Sequence, residues 1–186
     1  KGQKLLKAGI TLNSRNIALV AAMNMPWLKV TRKPRIAILS TGNELVLPGE
    51  SIGHDQIISS NSLGLAAMVT ENGGVPINLG IAQDDPQSLK GAISRLSGTD
   101  MLVTIGGASV GDYDLIKSVL GTVGLDISFS RVAMRPGKPL IFGNLSGVPM
   151  LGLPGNPVSA SVTATLFLRP AINKMLGIER NSNNLE

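Results

Sequence analysis

An α/β fold built on a three-layer, doubly wound and mostly parallel sheet is what this 186-residue sequence predicts. Two patterns carry that expectation. Short continuous apolar runs alternate with segments of helical spacing, as strands buried on both faces and their covering helices do. Loops rich in glycine and proline follow several of those runs, where a doubly wound sheet places its ligand. The composition agrees, since 43% of residues are hydrophobic and only 3% aromatic, which implies an aliphatic core.

The elements follow in order. Residues 1–34 read as the end of a preceding domain or a connecting arm, with a helix over 14–22 capped by Asn13 or Ser14. Thr31-Arg32-Lys33-Pro34 is a polar linker, because Pro34 disfavours helix before it. Residues 35–178 form the main domain and 179–186 a disordered tail. Residues 35–40 are a buried strand, and 61–72 a helix stopped by Gly73-Gly74. Residues 75–82 are the next strand, and Asp84-Asp85-Pro86 opens a helix through Leu89, Ile93 and Leu96. Residues 100–105 are a third buried strand, followed by a glycine-rich loop and a helix near 115–120. The alternation over 126–133 suits an edge strand, and 139–145 and 149–153 form a hairpin about Ser146-Gly147. A last helix runs over 158–176, with Asn156 as N-cap, Pro157 at the first helical position, a kink at Pro170 and a stop at Gly177.

Several function classes are disfavoured. With no cysteine there is neither a disulfide framework nor a thiolate metal site, which fits a cytoplasmic protein. No apolar run approaches the ~20 residues of a membrane span. The net charge of +5 is dispersed apart from Lys1, Lys4, Lys7 and the Lys29-Arg32-Lys33-Arg35 group, and the few aromatics are scattered, so nucleic acid is not the expected partner. A small anionic ligand accounts for the charge. The single histidine, His54, lies in a loop-like stretch and is expected at the surface; no His/Cys cluster supports zinc.

Five loops carry unusual chemistry. Ser40-Thr41-Gly42-Asn43-Glu44 offers a tight turn, a hydroxyl and a carboxylate. In Gln83-Asp84-Asp85-Pro86 one aspartate suffices to cap the helix, which leaves the other without a structural task. Gly106-Gly107-Ala108-Ser109-Val110-Gly111 can cradle phosphate with backbone N–H groups, though it matches neither a Walker A loop nor the dinucleotide fingerprint. Asp112 and Asp114 then add hard oxygens that suit Mg²⁺. Arg131, Arg135 and Lys138, with Pro136 and Pro139 stiffening the segment, read as an oxyanion clamp. In Gly152-Leu153-Pro154-Gly155-Asn156-Pro157-Val158-Ser159, Gly152 and Gly155 are expected to let the backbone turn sharply between strand and helix, presenting N–H groups to an anion.

These motifs, in this order, resemble molybdopterin molybdenumtransferases, the MoeA and gephyrin E-domain family of molybdenum cofactor synthesis. The resemblance covers residues 35–178, and 1–34 resemble the segment that leads into that domain. It implies a MoaB/Mog-like molybdopterin-binding fold and insertion of molybdenum from molybdate into adenylylated molybdopterin, with release of AMP. It implies Glu44, Asp84 and Asp114 as the catalytic acids, and Glu44, Asp84, Asp112 and Asp114 as Mg²⁺ ligands. Substrate binding would fall to Thr41, Gly42, Gly106, Gly107, Ser109, Gly111, Arg131, Arg135, Lys138, Pro154, Gly155, Asn156, Pro157 and Ser159. The family's enzymes are larger, with flanking domains and a homodimer that completes the cleft, so the resemblance also implies a partner subunit and contact with the adenylyltransferase that supplies the substrate. The chain starts at Lys1 rather than Met and reads as a fragment. The rival readings are a molybdopterin adenylyltransferase, a non-catalytic scaffold domain and a competence-protein-type domain of the same fold. Arg135-Pro136-Gly137-Lys138-Pro139 and Leu153-Pro154-Gly155-Asn156-Pro157-Val158-Ser159 favour the molybdenum-inserting branch.

Overall fold

The computed structural model describes residues 3–106 and 118–178. After α1 (Ser14–Ala22) come β1 (Arg35–Thr41), the two short strands β2 (Leu45–Val46) and β3 (Ile57–Ile58), then α2 (Asn61–Glu71), β4 (Val75–Ala82), α3 (Pro86–Ile93) and β5 (Met101–Ile105). Residues 118–121 are helical. The chain continues through β6 (Leu125–Arg131), β7 (Pro139–Leu145), β8 (Val148–Leu153), α4 (Pro157–Thr163), a π-helical segment Ala164–Leu168 and α5 (Arg169–Met175).

The six-stranded sheet has the order β4-β1-β5-β8-β7-β6. β4, β1, β5 and β8 are parallel neighbours, and β7 and β6 join antiparallel. A central parallel strand is covered on both faces, so β1 and β5 are apolar almost without interruption and almost wholly buried. Alternate residues serve opposite layers. Ile36 and Ile38 join Leu65, Val69, Leu168 and Ile172 under α2 and the last helix. Ala37 and Leu39 join Leu79, Leu89, Leu120 and Met150 on the other face. Burying each of these large aliphatic side chains contributes roughly 1.5–3 kcal/mol.

The expected strands and the hairpin all form. Ser146 and Gly147 both take positive φ, 49° and 93°, the geometry a two-residue hairpin turn requires. The edge strand β6 alternates exposed and half-buried positions, and Phe129 stacks on Phe142 of β7 at 5.6 Å between ring centroids.

Some expectations change. α3 ends at Ile93, and Leu96 reaches the core through a turn whose amide bonds Ile93 O. The last helix is interrupted, because Pro170 cannot donate its backbone bond and the preceding turn widens into the π segment. Gly152 is no turn residue but lies inside β8, where a Cβ would stand 3.0 Å from Ile141 Cβ and 3.3 Å from Thr104 Oγ1. β2 and β3 pair in parallel as a separate two-stranded sheet that periodicity did not reveal, since two residues carry no period. Of the helix expected near 115–120, residues 115–117 lie outside the described residues, as does the tail 179–186.

The arm docks through Arg32 and Asp100. The guanidinium donates to both carboxylate oxygens at 2.8 and 2.7 Å, and the Arg35 amide donates to Asp100 at 2.7 Å. The hydrogen bonds from Arg32 hold the Asp100 carboxyl below its usual range; burial opposes them, and the hydrogen bond from the Arg35 amide adds a smaller lowering effect. A cleft of about 750 Å³ opens between the arm and the ends of α2 and α5, lined by Leu6, Leu12, Leu28, Glu71 and Leu176 among others. It lies at the amino end of the sheet and holds none of the site residues named above.

Candidate functional site

The parallel topology brings the carboxyl ends of β4, β1, β5 and β8 to one edge of the sheet. β6 ends and β7 begins at that same edge, because Arg131 pairs with Pro139 and Ile141 pairs with Gly152. The loops after Thr41, Ala82, Arg131 and Leu153, with Gly106 at the end of β5, therefore line one rim.

Hydrogen bonds tie neighbouring loops together. The Gly42 amide donates to Ala82 O at 3.2 Å. The Asn43 amide donates to Asp84 Oδ2 at 3.3 Å, and the Asp84 amide donates back to Asn43 Oδ1 at 3.0 Å. Asp85 caps α3 by accepting from the Gln87 and Ser88 amides at 2.9 and 2.8 Å. Asp85 caps the helix as one aspartate was expected to, whereas Asp84, expected to have no structural task, clasps the loop that carries Glu44. Glu44 is exposed and folds its carboxylate over Gly42, whose φ of 146° favours glycine; a Cβ there would meet only the movable end of the Glu44 side chain.

At the centre of the rim the Gly106 amide donates to Leu153 O at 3.1 Å, and the Thr41 hydroxyl donates to Ile105 O at 3.4 Å. A Cβ on Gly106, at φ 88°, would lie 2.5 Å from Thr41 O. One on Gly155 would lie 3.6 Å from Gly106 Cα. Pro154 is buried, whereas Gly155, Asn156 and Pro157 are exposed and Ser159 half-buried. Asn156 caps α4 as expected, accepting from the Val158 and Ser159 amides at 3.1 and 3.3 Å. Those two donors are therefore engaged within the turn, and fewer backbone N–H groups face outward than the sequence led one to expect.

The cationic loop lies beyond β8. Arg131, Arg135 and Lys138 are exposed. Its base is fixed by the Val132 amide bonding Lys138 O at 3.0 Å and by Gly137, packed where a Cβ would meet Thr163 Cγ2 at 2.5 Å. β7 stands three strand positions from β1, so the carboxylates and the cations are separated by roughly 14 Å at the usual strand spacing. The rim is acidic at one end, glycine-lined in the middle and basic at the other.

Gly107, Ser109, Gly111, Asp112 and Asp114 lie outside the described residues. Among the described residues no three acidic or histidine side chains gather as a metal site. His54 is at the surface as expected, with Asp55 Oδ1 2.9 Å from its Nδ1. Sequence reasoning missed the segment 59–62. Ser59 Oγ donates to Ser40 Oγ at 3.1 Å, and Asn61 Nδ2 donates to Gly155 O at 2.7 Å. A polar run before an apolar helix signals only a helix start, so nothing local pointed to these distant partners.

Known proteins share this arrangement. The family described as a probable molybdopterin binding domain matches residues 37–174. The chain is 43% identical over 183 residues to a molybdopterin molybdenumtransferase of a Nostoc species, covering 96% of this chain and 42% of that protein. It is 36% identical to the Haemophilus influenzae protein of that name, covering 95% of this chain and 44% of the other. A molybdopterin biosynthesis MoeA protein from Pyrococcus horikoshii superposes with a TM-score of 0.86 at 39% identity, over 97% of this chain and 45% of that one. A molybdenum cofactor biosynthesis protein B superposes at 0.57 with 13% identity, a likeness of fold alone. The chain spans less than half the length of the curated relatives it matches. No helix among the described residues is long and apolar enough to cross a membrane. With a family match that spans most of the sheet and every described loop of the rim, the chain belongs to the molybdopterin-binding-domain family of molybdenum cofactor biosynthesis.

Proposed function

We propose that this chain is the substrate-binding core of a molybdopterin molybdenumtransferase, which inserts molybdenum from molybdate into adenylylated molybdopterin and releases AMP. One observation carries the reading: acidic and glycine-lined loops, tied to their neighbours by hydrogen bonds, share a single sheet rim with a basic loop. A ligand with oxyanions at one end and a metal-binding pyrophosphate at the other suits that polarity. In this reading Arg131, Arg135 and Lys138 hold oxyanions; Thr41, Gly42 and Gly106 line the middle, and Gly107, Ser109 and Gly111 are assigned to substrate binding with them; Pro154, Gly155, Asn156, Pro157 and Ser159 form the wall beside it.

Glu44, Asp84, Asp112 and Asp114 are the Mg²⁺ ligands in this reading, and Glu44, Asp84 and Asp114 the catalytic acids. The described pair fits a hard cation in donor chemistry, since both offer carboxylate oxygens on loops clasped to each other. Mg²⁺, when bound, neutralises charge on the pyrophosphate. The chain's own part is positional: Asn43 and Asp84 fix the spacing of the acidic loops, and the Gly106 amide bond to Leu153 O fixes the floor between them and the turn. The reading also takes residues 35–178 as the domain proper, 1–34 as the lead-in from a preceding domain, a homodimer as the working state, the cytoplasm as the compartment and the adenylyltransferase as the supplier of substrate.

The test is calorimetric titration of this chain with adenylylated molybdopterin, alongside incubation with molybdopterin and Mg-ATP. Binding of the first, with no adenylylated product in the second, is expected. Product formation would reassign the chain to the adenylyltransferases, and failure to bind would overturn the reading.

A further inference from the structure

We propose that Asn61 is a positioning residue that latches the 154–156 turn against Gly106 and so sets the width of the ligand rim, an inference that rests on the reading above for its ligand. Asn61 is the first residue of α2 and half-buried. Its Nδ2 donates to Gly155 O at 2.7 Å, across 94 residues of sequence. Gly155 stands in van der Waals contact with Gly106, since a Cβ on Gly155 would lie 3.6 Å from Gly106 Cα. Gly106 is in turn held by Leu153 O and faces Thr41 O.

The neighbours of Asn61 hold the other side of the rim. The Ser59 amide donates to Val46 O at 2.9 Å and the Ile57 amide to Glu44 O at 2.8 Å. The buried Ser59 hydroxyl donates to Ser40 Oγ at 3.1 Å and lies 3.5 Å from Ser62 Oγ. Segment 57–62 thus grips the Glu44 loop with its backbone, the end of β1 with a hydroxyl, and the turn after β8 with the Asn61 amide. No other described contact joins α2 directly to a backbone carbonyl of that turn. Removing the amide takes away the hydrogen bond between α2 and Gly155 O, while α2 keeps its helix and its core residues Leu65 and Val69.

The experiment uses this chain labelled with ¹⁵N. Amide exchange is measured at Gly106, Val158 and Ser159 and across β1, and calorimetry gives the affinity for molybdopterin. Asn61→Ala should speed exchange at the three rim amides by about tenfold and weaken molybdopterin binding by about tenfold, the loss of one hydrogen bond. Exchange across β1 should stay unchanged. Asn61→Asp should go further in both, since a carboxylate would face the Gly155 carbonyl. Thr70→Ala, at the far end of the same helix, should change neither. Unchanged rim exchange in Asn61→Ala, or acceleration that extends equally to β1, overturns the latch. Faster rim exchange with undiminished affinity overturns its role in holding the ligand. If the unaltered chain does not bind molybdopterin, the functional reading fails while the exchange data still decide the latch.

Discussion

Asp84 and Asp85 are chemically identical neighbours put to different uses by the groups around them. Asp85 accepts two amides at the head of α3, while Asp84 joins Asn43 across two loops. Asn156 repeats the capping role at α4, so Asn156→Ala should cost about 1 kcal/mol. For a chain of this size that lowers Tm by roughly 2–4 °C, and a calorimetric scan reads it. Removing charge at Glu44 probes chemistry instead. Glu44→Gln should abolish molybdenum insertion in a strain that depends on this domain while leaving the circular dichroism spectrum unchanged; full complementation would take Glu44 out of the metal set. At the basic end, Arg135→Ala should weaken adenylylated molybdopterin binding roughly ten- to a hundredfold, the range of a hydrogen bond to a charged group. Arg135→Lys should lose less, keeping the charge without the planar fork. Equal affinity for Arg135→Ala and the unaltered chain would make this loop an ordinary surface turn.

At the level of elements, the rim depends on backbone approaching backbone. Gly106 sits at φ 88° with Thr41 O where a side chain would go. Gly106→Ala should therefore destabilise the fold by ~1–3 kcal/mol, seen as a lower urea midpoint; an unchanged midpoint would mean that the loop shifts away from Thr41 without cost. The strands were legible in the sequence because each buried parallel strand is a short apolar run, as in 101–105, and two helix starts carry both a cap and a proline, Asp85-Pro86 and Asn156-Pro157. The two-residue strands β2 and β3 were not, being shorter than any period. Gly152 was misread for a different reason. A glycine needed for room beside Ile141 looks the same in sequence as one needed for a turn. Local pattern also could not locate Asn61, whose partner lies in another layer of the chain.

Two features belong to the whole molecule, the docking of the arm and the polarity of the rim. Arg32 and the Arg35 amide stabilise ionised Asp100, so its carboxyl titrates below the usual range. A lowered folded value means that the contribution is present above the unfolded carboxylate value of ~3.9 and fades as pH falls through the folded one. Asp100→Asn should accordingly lower the urea midpoint at pH 7, and the gap from the unaltered chain should close as pH drops below that value. A gap that persists at the lowest pH would assign the effect to packing rather than charge. The rim poses the larger question, whether one ligand touches both of its ends. Glu44 and Arg135 belong to loops on β1 and β7, separated by β5 and β8. At roughly 14 Å of separation they share no side-chain partner among the described residues, so their direct effects on a common ligand should add within about 0.3–0.5 kcal/mol. Calorimetric titration of adenylylated molybdopterin into Glu44→Gln, Arg135→Ala and the double variant, with Mg²⁺ present, closes the cycle. Each single change should weaken binding and the double change should weaken it by the product of the two. A double variant no weaker than Arg135→Ala alone would mean that the ligand sits at the basic end and never reaches the carboxylates, and the metal role of Glu44 would fall with it.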